Sequence, residues 1–228
     1  LSRRAKRQAS SDDFVALTES ARRAREALEP ADLLQKHEWL FRRHWVEESA
    51  EELADDRHDY EKREERVAAL RTDALREVHS ARGPGGVVEL ADLGDAHYVV
   101  GYLYAGRVLE KQAVDGAIRA ALRTERSNMV NTRRLLISGL INGCSDPLER
   151  EALLDRLSAE LAEEDFVRVL LSAPFQRATW LRVDALREQA QRIYWTTVFP
   201  DWVREDVEEA AEAIDRLIAA KRPRAAFQ

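Results

Sequence analysis

Cysteine occurs once in the 228 residues, at Cys144, and methionine once. A lone thiol excludes an intrachain disulfide framework, and with no paired ligand residues beside it Cys144 founds no structural zinc site. A chain of this kind suits a reducing compartment, so the cytoplasm is the expected location. Strand formers are equally scarce. The one β-branched cluster that reads as a strand, Val87-Val88, is too short to found a sheet. No run of about 18 apolar residues exists, and the basic start LSRRAKRQA has no apolar core behind it. Neither a membrane span nor a signal peptide is therefore expected.

Signatures of catalysis are missing too. There is no Gly-x-Ser-x-Gly, no His-Glu-x-x-His and no Cys-x-x-Cys, and Gly83-Pro84-Gly85-Gly86 lacks the Lys-Ser or Lys-Thr that a phosphate-binding loop needs. The chain is expected to be no enzyme and to carry no cofactor. Lysine makes up only five of the 36 basic residues, and 42 acids outnumber them, for a net charge of −6. Charges of both signs are interspersed, which argues against a surface built to neutralise phosphates, so nucleic acid is not an expected partner.

What remains is Ala, Leu, Glu and Arg at helical spacing. Hydrophobic residues make up 45% and charged residues 34% of the chain, which supports an all-α fold. Phe14, Leu17, Ala21, Ala24 and Leu28 form one stripe, so a first helix is predicted over 12–28, ended by Pro30. A second is predicted over 31–46, with Leu33, Leu34, Trp39, Leu40, Phe41 and Trp45 covering more than half its circumference and so buried on two sides. The longest pattern free of Gly and Pro covers 51–79. Its narrow stripe of Leu53, Tyr60, Val67 and Ala74 predicts a mostly solvated charged arm, suited to self-association.

Three glycines and a proline at 83–86 read as a linker, dividing the chain into an N-terminal helical segment over 1–82, a linker over 83–90 and a helical array over 91–228. Within the array the predicted helices are 90–105, 108–123, 128–142, 147–162, 165–172, 177–198 and 202–221. Asp146-Pro147 supplies a cap and a first-turn proline, and Gly143 closes the helix before it. The first residue is Leu1, and Arg222-Pro223-Arg224-Ala225-Ala226-Phe227 reads as a helix start cut short. Both ends lead to the expectation that the chain is part of a larger protein.

Helix ends in the array repeat a phrase, an apolar pair followed by small residues and a turn: Leu103-Tyr104-Ala105-Gly106-Arg107, Leu140-Ile141-Asn142-Gly143-Cys144, Leu170-Leu171-Ser172-Ala173-Pro174 and Leu217-Ile218-Ala219-Ala220-Lys221. Their spacings of 37, 30 and 47 residues lie around the length of one helix-turn-helix unit. In this style, from Ala91 to Gln228, the chain resembles the tetratricopeptide and HEAT-like class of α-solenoids, as found in large bacterial multidomain proteins. The resemblance implies antiparallel helix pairs stacked as a short irregular solenoid, presenting a surface to a partner protein or to other domains of a parent chain.

Trp180, Tyr194, Trp195, Phe199 and Trp202 form an aromatic cluster whose spacing could line a groove or a protein-binding surface. Trp180, Val183, Ala190 and Tyr194 follow helical periodicity, which favours core, and one or two among Trp180, Tyr194, Trp195 and Trp202 are candidate protein contacts. Arg133-Arg134 could hold an anion, and His97 with Tyr98 and Tyr102 could frame a polar pocket. His37, His44, His58 and Asp59 are the residues a helical HD-type metal hydrolase would need, were they to converge. Three functions follow in order of preference: a noncatalytic interaction scaffold, a regulatory or sensor array of a multidomain stress or defence protein, and that hydrolase.

Overall fold

A computed structural model describes residues 30–46, 60–123, 130–200 and 206–226, together with Ala16, Glu19, Ser20, Arg23, Ala24 and Leu28. Among the described residues all regular structure is helical, and no helix is long and apolar enough to cross a membrane. The predicted helix over 12–28 and the first part of the one over 51–79 lie largely outside the described residues.

Pro30 is followed by Asp32, whose carboxylate accepts from the amides of Leu34 and Gln35. That satisfies two of the donors a helix start leaves unpaired and opens α1, Leu33–Glu38. The helix predicted to run on to Val46 stops there. Instead, the chain from Trp39 bends through a loop whose carbonyls are taken by arginines of the next helix. Arg71, 6% exposed, donates from Nε to the Leu40 carbonyl at 2.8 Å, and from Nη2 to those of Arg43 (3.1 Å) and His44 (2.9 Å). Arg63 donates to the Val46 carbonyl at 2.6 Å. Guanidinium donors thus replace the amides of a continued helix. Burial lowers the Arg71 pKa, opposed by the Glu64 charge.

The arginines belong to α2, Tyr60–Ala91. Two expectations are corrected here. The segment read as a solvated arm enters the core from Val67 on, with Leu75 and Val78 completely buried. The segment 83–90 read as a linker is helical except at Gly83, whose φ of 64° and ψ of −163° make a kink that favours glycine. Pro84 then occupies a position where a helix start needs no amide donor, and Val87, Val88 and Leu90 are buried beyond it. Buried residues from both sides of this kink share one hydrophobic cluster that extends from Leu34 to Ala226.

The chain then turns at Gly94. A Cβ there would lie 2.1 Å from the Phe41 carbonyl oxygen, and the amides of Asp95 and Ala96 donate to the Arg42 and Phe41 carbonyls. Helix α3, His97–Leu103, continues as a π-helical turn over Tyr104–Val108. A short 3-10 turn, Lys111–Ala113, leads into α4, Val114–Arg123, and then comes α5, Val130–Gly143.

Helices α3 and α5 meet backbone to backbone. A Cβ on Gly101 would stand 2.2 Å from the Leu136 carbonyl oxygen, and one on Gly139 would stand 2.2 Å from that of Tyr98. Gly143 faces the Tyr102 carbonyl in the same way. Gly139 and Gly143, four apart, share a face of α5 and let the two backbones approach. Gly143 therefore serves this seam as well as the helix end predicted for it.

Asp146, accepting from the Leu148 amide, opens α6, Pro147–Glu160, and α7 is Glu163–Leu170. The helix predicted over 177–198 is two: α8, Arg177–Asp184, and α9, Glu188–Thr197. The break has a distant cause. Glu163 accepts from both the amide and Nε of Arg187, holding that residue extended. Gln191 Nε2 then donates to the Asp184 and Leu186 carbonyls that the break leaves open. Asp206 caps α10, Val207–Ala219. Its end closes with Lys221 at φ 60° and with Arg222 and Lys221 amides donating to Leu217 and Ile218, the pattern of a left-handed helix stop. Arg222 also reaches the Trp195 and Val198 carbonyls, which α9 leaves unpaired. A final turn, α11, is Pro223–Ala226.

The main packing partners follow chain order. α1 packs on α2, α2 on α3 and α4, α3 on α5, α4 on α5 and α6, and α5 on α7. Further along, α6 packs on α7, α7 on α8 and α9, α8 on α9, α9 on α10, and α10 on α11. Each step joins helices one or two places apart.

Candidate functional site

Of the aromatic residues proposed as contacts, Trp180 and Tyr194 have no exposure and Trp195 has 8%. They are core. Phe175 packs against Trp180 with ring centroids 4.9 Å apart, Trp180 lies 6.0 Å from Trp195, and Tyr194 meets Trp195 edge-on at 5.2 Å. Burial raises the Tyr194 pKa, and its hydroxyl, like Trp180 Nε1, has no hydrogen-bond partner among the described residues. Helical periodicity placed these rings correctly in the core, and that placement removes Trp180 and Tyr194 as exposed contacts. Trp202 lies outside the described residues.

Trp195 does border an open cleft of about 610 Å³ with Asp184, Glu188, Gln191, Arg192, Thr196 and Arg216. Lys221 borders it too, and four of its charges are matched in pairs. Arg216 donates to both oxygens of Asp184 at 2.7 and 2.8 Å and stands over the Trp195 ring at 5.3 Å, while Arg192 pairs with Glu188.

The histidines do not assemble. His37 Nε2 lies 2.8 Å from Glu77 Oε2, and the carboxyl of Glu77 is held below its ordinary pKa chiefly by that bond. His44 stands edge-on to Trp45, and His58 and Asp59 lie outside the described residues. Among the described residues no group of three or more His, Cys, Asp or Glu converges to hold a metal. His97 is buried, so it frames no pocket with the tyrosines beside it. The adjacent arginines also part: Arg133 is buried against Asp92, whereas Arg134 lies over the Phe199 ring, 6.0 Å from its centroid.

A different surface emerges where Tyr98 and Tyr102 stack, with centroids 6.1 Å apart. Four apart on α3, they share a face. On one side they border a cleft of about 270 Å³ with His44, Trp45, Tyr60, Glu64 and Arg71. On the other, Tyr98 borders a cleft of about 500 Å³ with Arg134, Leu135, Ser138, Asn142 and Phe199. Tyr98 lines both, so the two clefts adjoin at its side chain on one grooved face.

The groove is open and mixes polar lining with exposed apolar side chains. Trp45 is 53% exposed, Tyr60 60%, Tyr102 45%, Leu135 45% and Phe199 64%. Leu135, Ser138 and Asn142 enter it from one face of α5, whose glycines are committed to α3. Trp45 is set in place by Arg71, which holds the carbonyls of Arg43 and His44. Burial raises the Tyr98 pKa, with Tyr102 acting in the same direction and Arg150 and Asn142 against it.

Charge differs along the groove. Glu64 lies at the Trp45 end. At the Phe199 end, Arg134 lies over the Phe199 ring and meets no carboxylate among the described residues. The Tyr98 and Tyr102 pair was visible in the sequence. Phe199 was visible as a member of the C-terminal aromatic cluster, but its place beside Tyr98 was not, nor were Trp45 and Tyr60, because they come from segments far apart whose juxtaposition depends on Arg71 and on the glycine seam. Compared with protein-family models, with curated proteins and with solved structures, the chain matches none.

Proposed function

We propose that this chain is a noncatalytic protein-interaction scaffold, a short irregular solenoid of stacked helices whose Trp45 to Phe199 groove receives a segment of a partner protein or of another domain. The observation that carries the reading is the number of exposed aromatic and aliphatic side chains that border it: Trp45, Tyr60, Tyr102, Leu135 and Phe199. Single exposed apolar residues are ordinary on protein surfaces, but a contiguous apolar patch marks a surface that another body covers. Aromatic anchors beside an arginine are also the composition that dominates binding energy at interfaces. The stacked arrangement is supported by packing that joins each helix to those one or two places along, as expected of a row in which neighbours shield one another.

Site-specific photocrosslinking tests this. A photoreactive residue at Leu135, in the groove, should give a discrete adduct in cells that contain the partner. One at Leu181, exposed outside it at 62%, should not. The purified partner should then bind the wild-type chain and lose about tenfold or more in affinity for Phe199→Ser or Tyr102→Ser. Equal crosslinking at both positions, or unchanged affinity, would remove the groove as the binding face.

A further inference from the structure

The end of the groove nearest Trp45 carries a more specific chemistry than the rest. Trp45 and Tyr60 lie with ring centroids 5.8 Å apart and planes inclined at 48°, so they open at an angle and do not stack face to face. Tyr98 and Tyr102 border the same cleft, together with the carboxylate of Glu64. Its volume of about 270 Å³ admits a single compact group and excludes a drug-sized ligand. All four rings are more than a third exposed, which leaves ring surface uncovered. The face of an aromatic ring carries negative electrostatic potential, greatest for tryptophan, and several such faces around one cleft attract an organic cation.

Two other charges bear on the cleft. Glu64 has no hydrogen-bond or ion-pair partner among the described residues and lies near enough to Arg71 to raise the latter's pKa. Arg71 is itself a cation in the wall of the cleft, but its guanidinium is directed at three backbone carbonyls. Those dipoles offset it, leaving the ring faces and the Glu64 charge to set the potential where a guest would sit.

We propose that this cleft is a receptor for a cationic side chain of the partner protein, a lysine, methyl-lysine or arginine held against Trp45, Tyr60 and Tyr102 with Glu64 as its counter-charge. The aromatic walls supply both the apolar contact for the methylene or methyl groups and the attraction for the charge. It rests on the scaffold reading only for the bearer of the cation; the receptor chemistry can be examined with no partner in hand.

The test uses the whole chain and a matched pair of probes, choline and its uncharged isostere 3,3-dimethylbutan-1-ol. Binding is followed by the indole Nε1–H resonance of Trp45, assigned by its disappearance in Trp45→Phe. Choline should move that resonance at millimolar concentration, and the isostere should require about tenfold more. Tyr60→Ala and Glu64→Gln should each weaken choline severalfold while the far-ultraviolet circular dichroism stays unchanged. Acetyl-trimethyllysine amide and acetyl-arginine amide should then move the same resonance more strongly than choline. Equal response to choline and the isostere, or no response to either at 50-fold the expected concentration, overturns the cation receptor. That outcome leaves the scaffold reading intact with a neutral apolar guest, whereas failure of the Leu135 crosslink removes the scaffold reading without touching the choline result. Choline binding that exceeds both amides would overturn the assignment to a protein side chain.

Discussion

The seam between α3 and α5 and the layer formed by α8, α9 and α10 join helices by opposite means. At the seam, Gly101, Gly139 and Gly143 remove side chains so that backbone meets backbone. In the C-terminal layer, arginines fill the space: Arg216 spans Asp184 and Glu212 and covers Trp180 and Trp195, and Arg177 pairs with Glu212. Shape fixes the first and long adjustable side chains the second. A backbone carbonyl cannot rotate away from an added atom, whereas a guanidinium can find a second acceptor. The seam should therefore fail sharply and the layer gradually.

The largest effect is expected from Gly139→Ala. Its methyl would meet the Tyr98 carbonyl oxygen at 2.2 Å and the Tyr102 amide nitrogen at 2.8 Å, so α3 and α5 must separate. Overpacking of this kind should cost about 3 kcal/mol, outweighing the gain in helix propensity. Urea unfolding measures it as a lowered midpoint. A change under 1 kcal/mol would mean that the seam yields and that the proposed contrast is wrong. Because Tyr98 and Tyr102 stand on the same helix, the variant should also weaken choline binding even under conditions where it remains folded.

Arg216→Met should cost less, about 1.5 kcal/mol. It loses a bidentate pair with Asp184 and the cation over two indole rings, but keeps an apolar stem against them and leaves Arg177 on Glu212. If the loss matches that of Gly139→Ala in the same urea series, the layer is as unforgiving as the seam.

The third effect separates the regions by pH. Hydrogen bonds from Arg177 and then from Arg216 hold the Glu212 carboxyl below its ordinary pKa of 4.5, and the Arg187 amide does the same for Glu163. A carboxyl whose folded pKa is depressed contributes stability that is present above the unfolded value and lost as pH falls toward the folded one. Acidification below about pH 4.5 should thus speed amide exchange in α10, and at the α8–α9 break, before it affects α5. At the seam the close contacts are glycine against backbone carbonyl, with no carboxylate in them. Parallel loss of protection in α5 and α10 would show that the layer does not depend on these carboxylates.

How much of this could be read beforehand differs between the regions. The all-α fold, the cap at Asp146, and the burial of Trp180 and Tyr194 come from spacing within a single helix, which a sequence displays directly, whereas the caps at Asp32 and Asp206 lie inside the helices predicted over 31–46 and 202–221. The break at Arg187 comes from Glu163, 24 residues away, and the loop after α1 from Arg71. Both are local outcomes of distant side chains, invisible to periodicity. Gly83 was misread for a related reason. A kink and an open linker use the same residues, and only the burial of Val87, Val88 and Leu90 distinguishes them. In the groove, Tyr98 and Tyr102 were legible as a pair, whereas Trp45 and Phe199 lie at the two ends of a surface that exists only once the seam has closed.

The smallest effect is the most direct check on the argument about space, because it repeats the same substitution where nothing opposes it. Gly116 lies inside α4, and a Cβ added there meets no atom within 4 Å. Its backbone has no positive φ that would favour glycine. Gly116→Ala should then stabilise the chain by about 0.7 kcal/mol, through the restricted unfolded chain and the better helix former. The urea midpoint should rise for this variant and fall for Gly139→Ala. If both fall, glycine in these helices serves something other than close approach, and the distance from an added methyl to the facing carbonyl no longer explains the seam. If Gly116→Ala rises as expected, the sign of a glycine substitution follows from that distance alone, and Gly101→Ala, at 2.2 Å from the Leu136 carbonyl oxygen, should fall with Gly139→Ala.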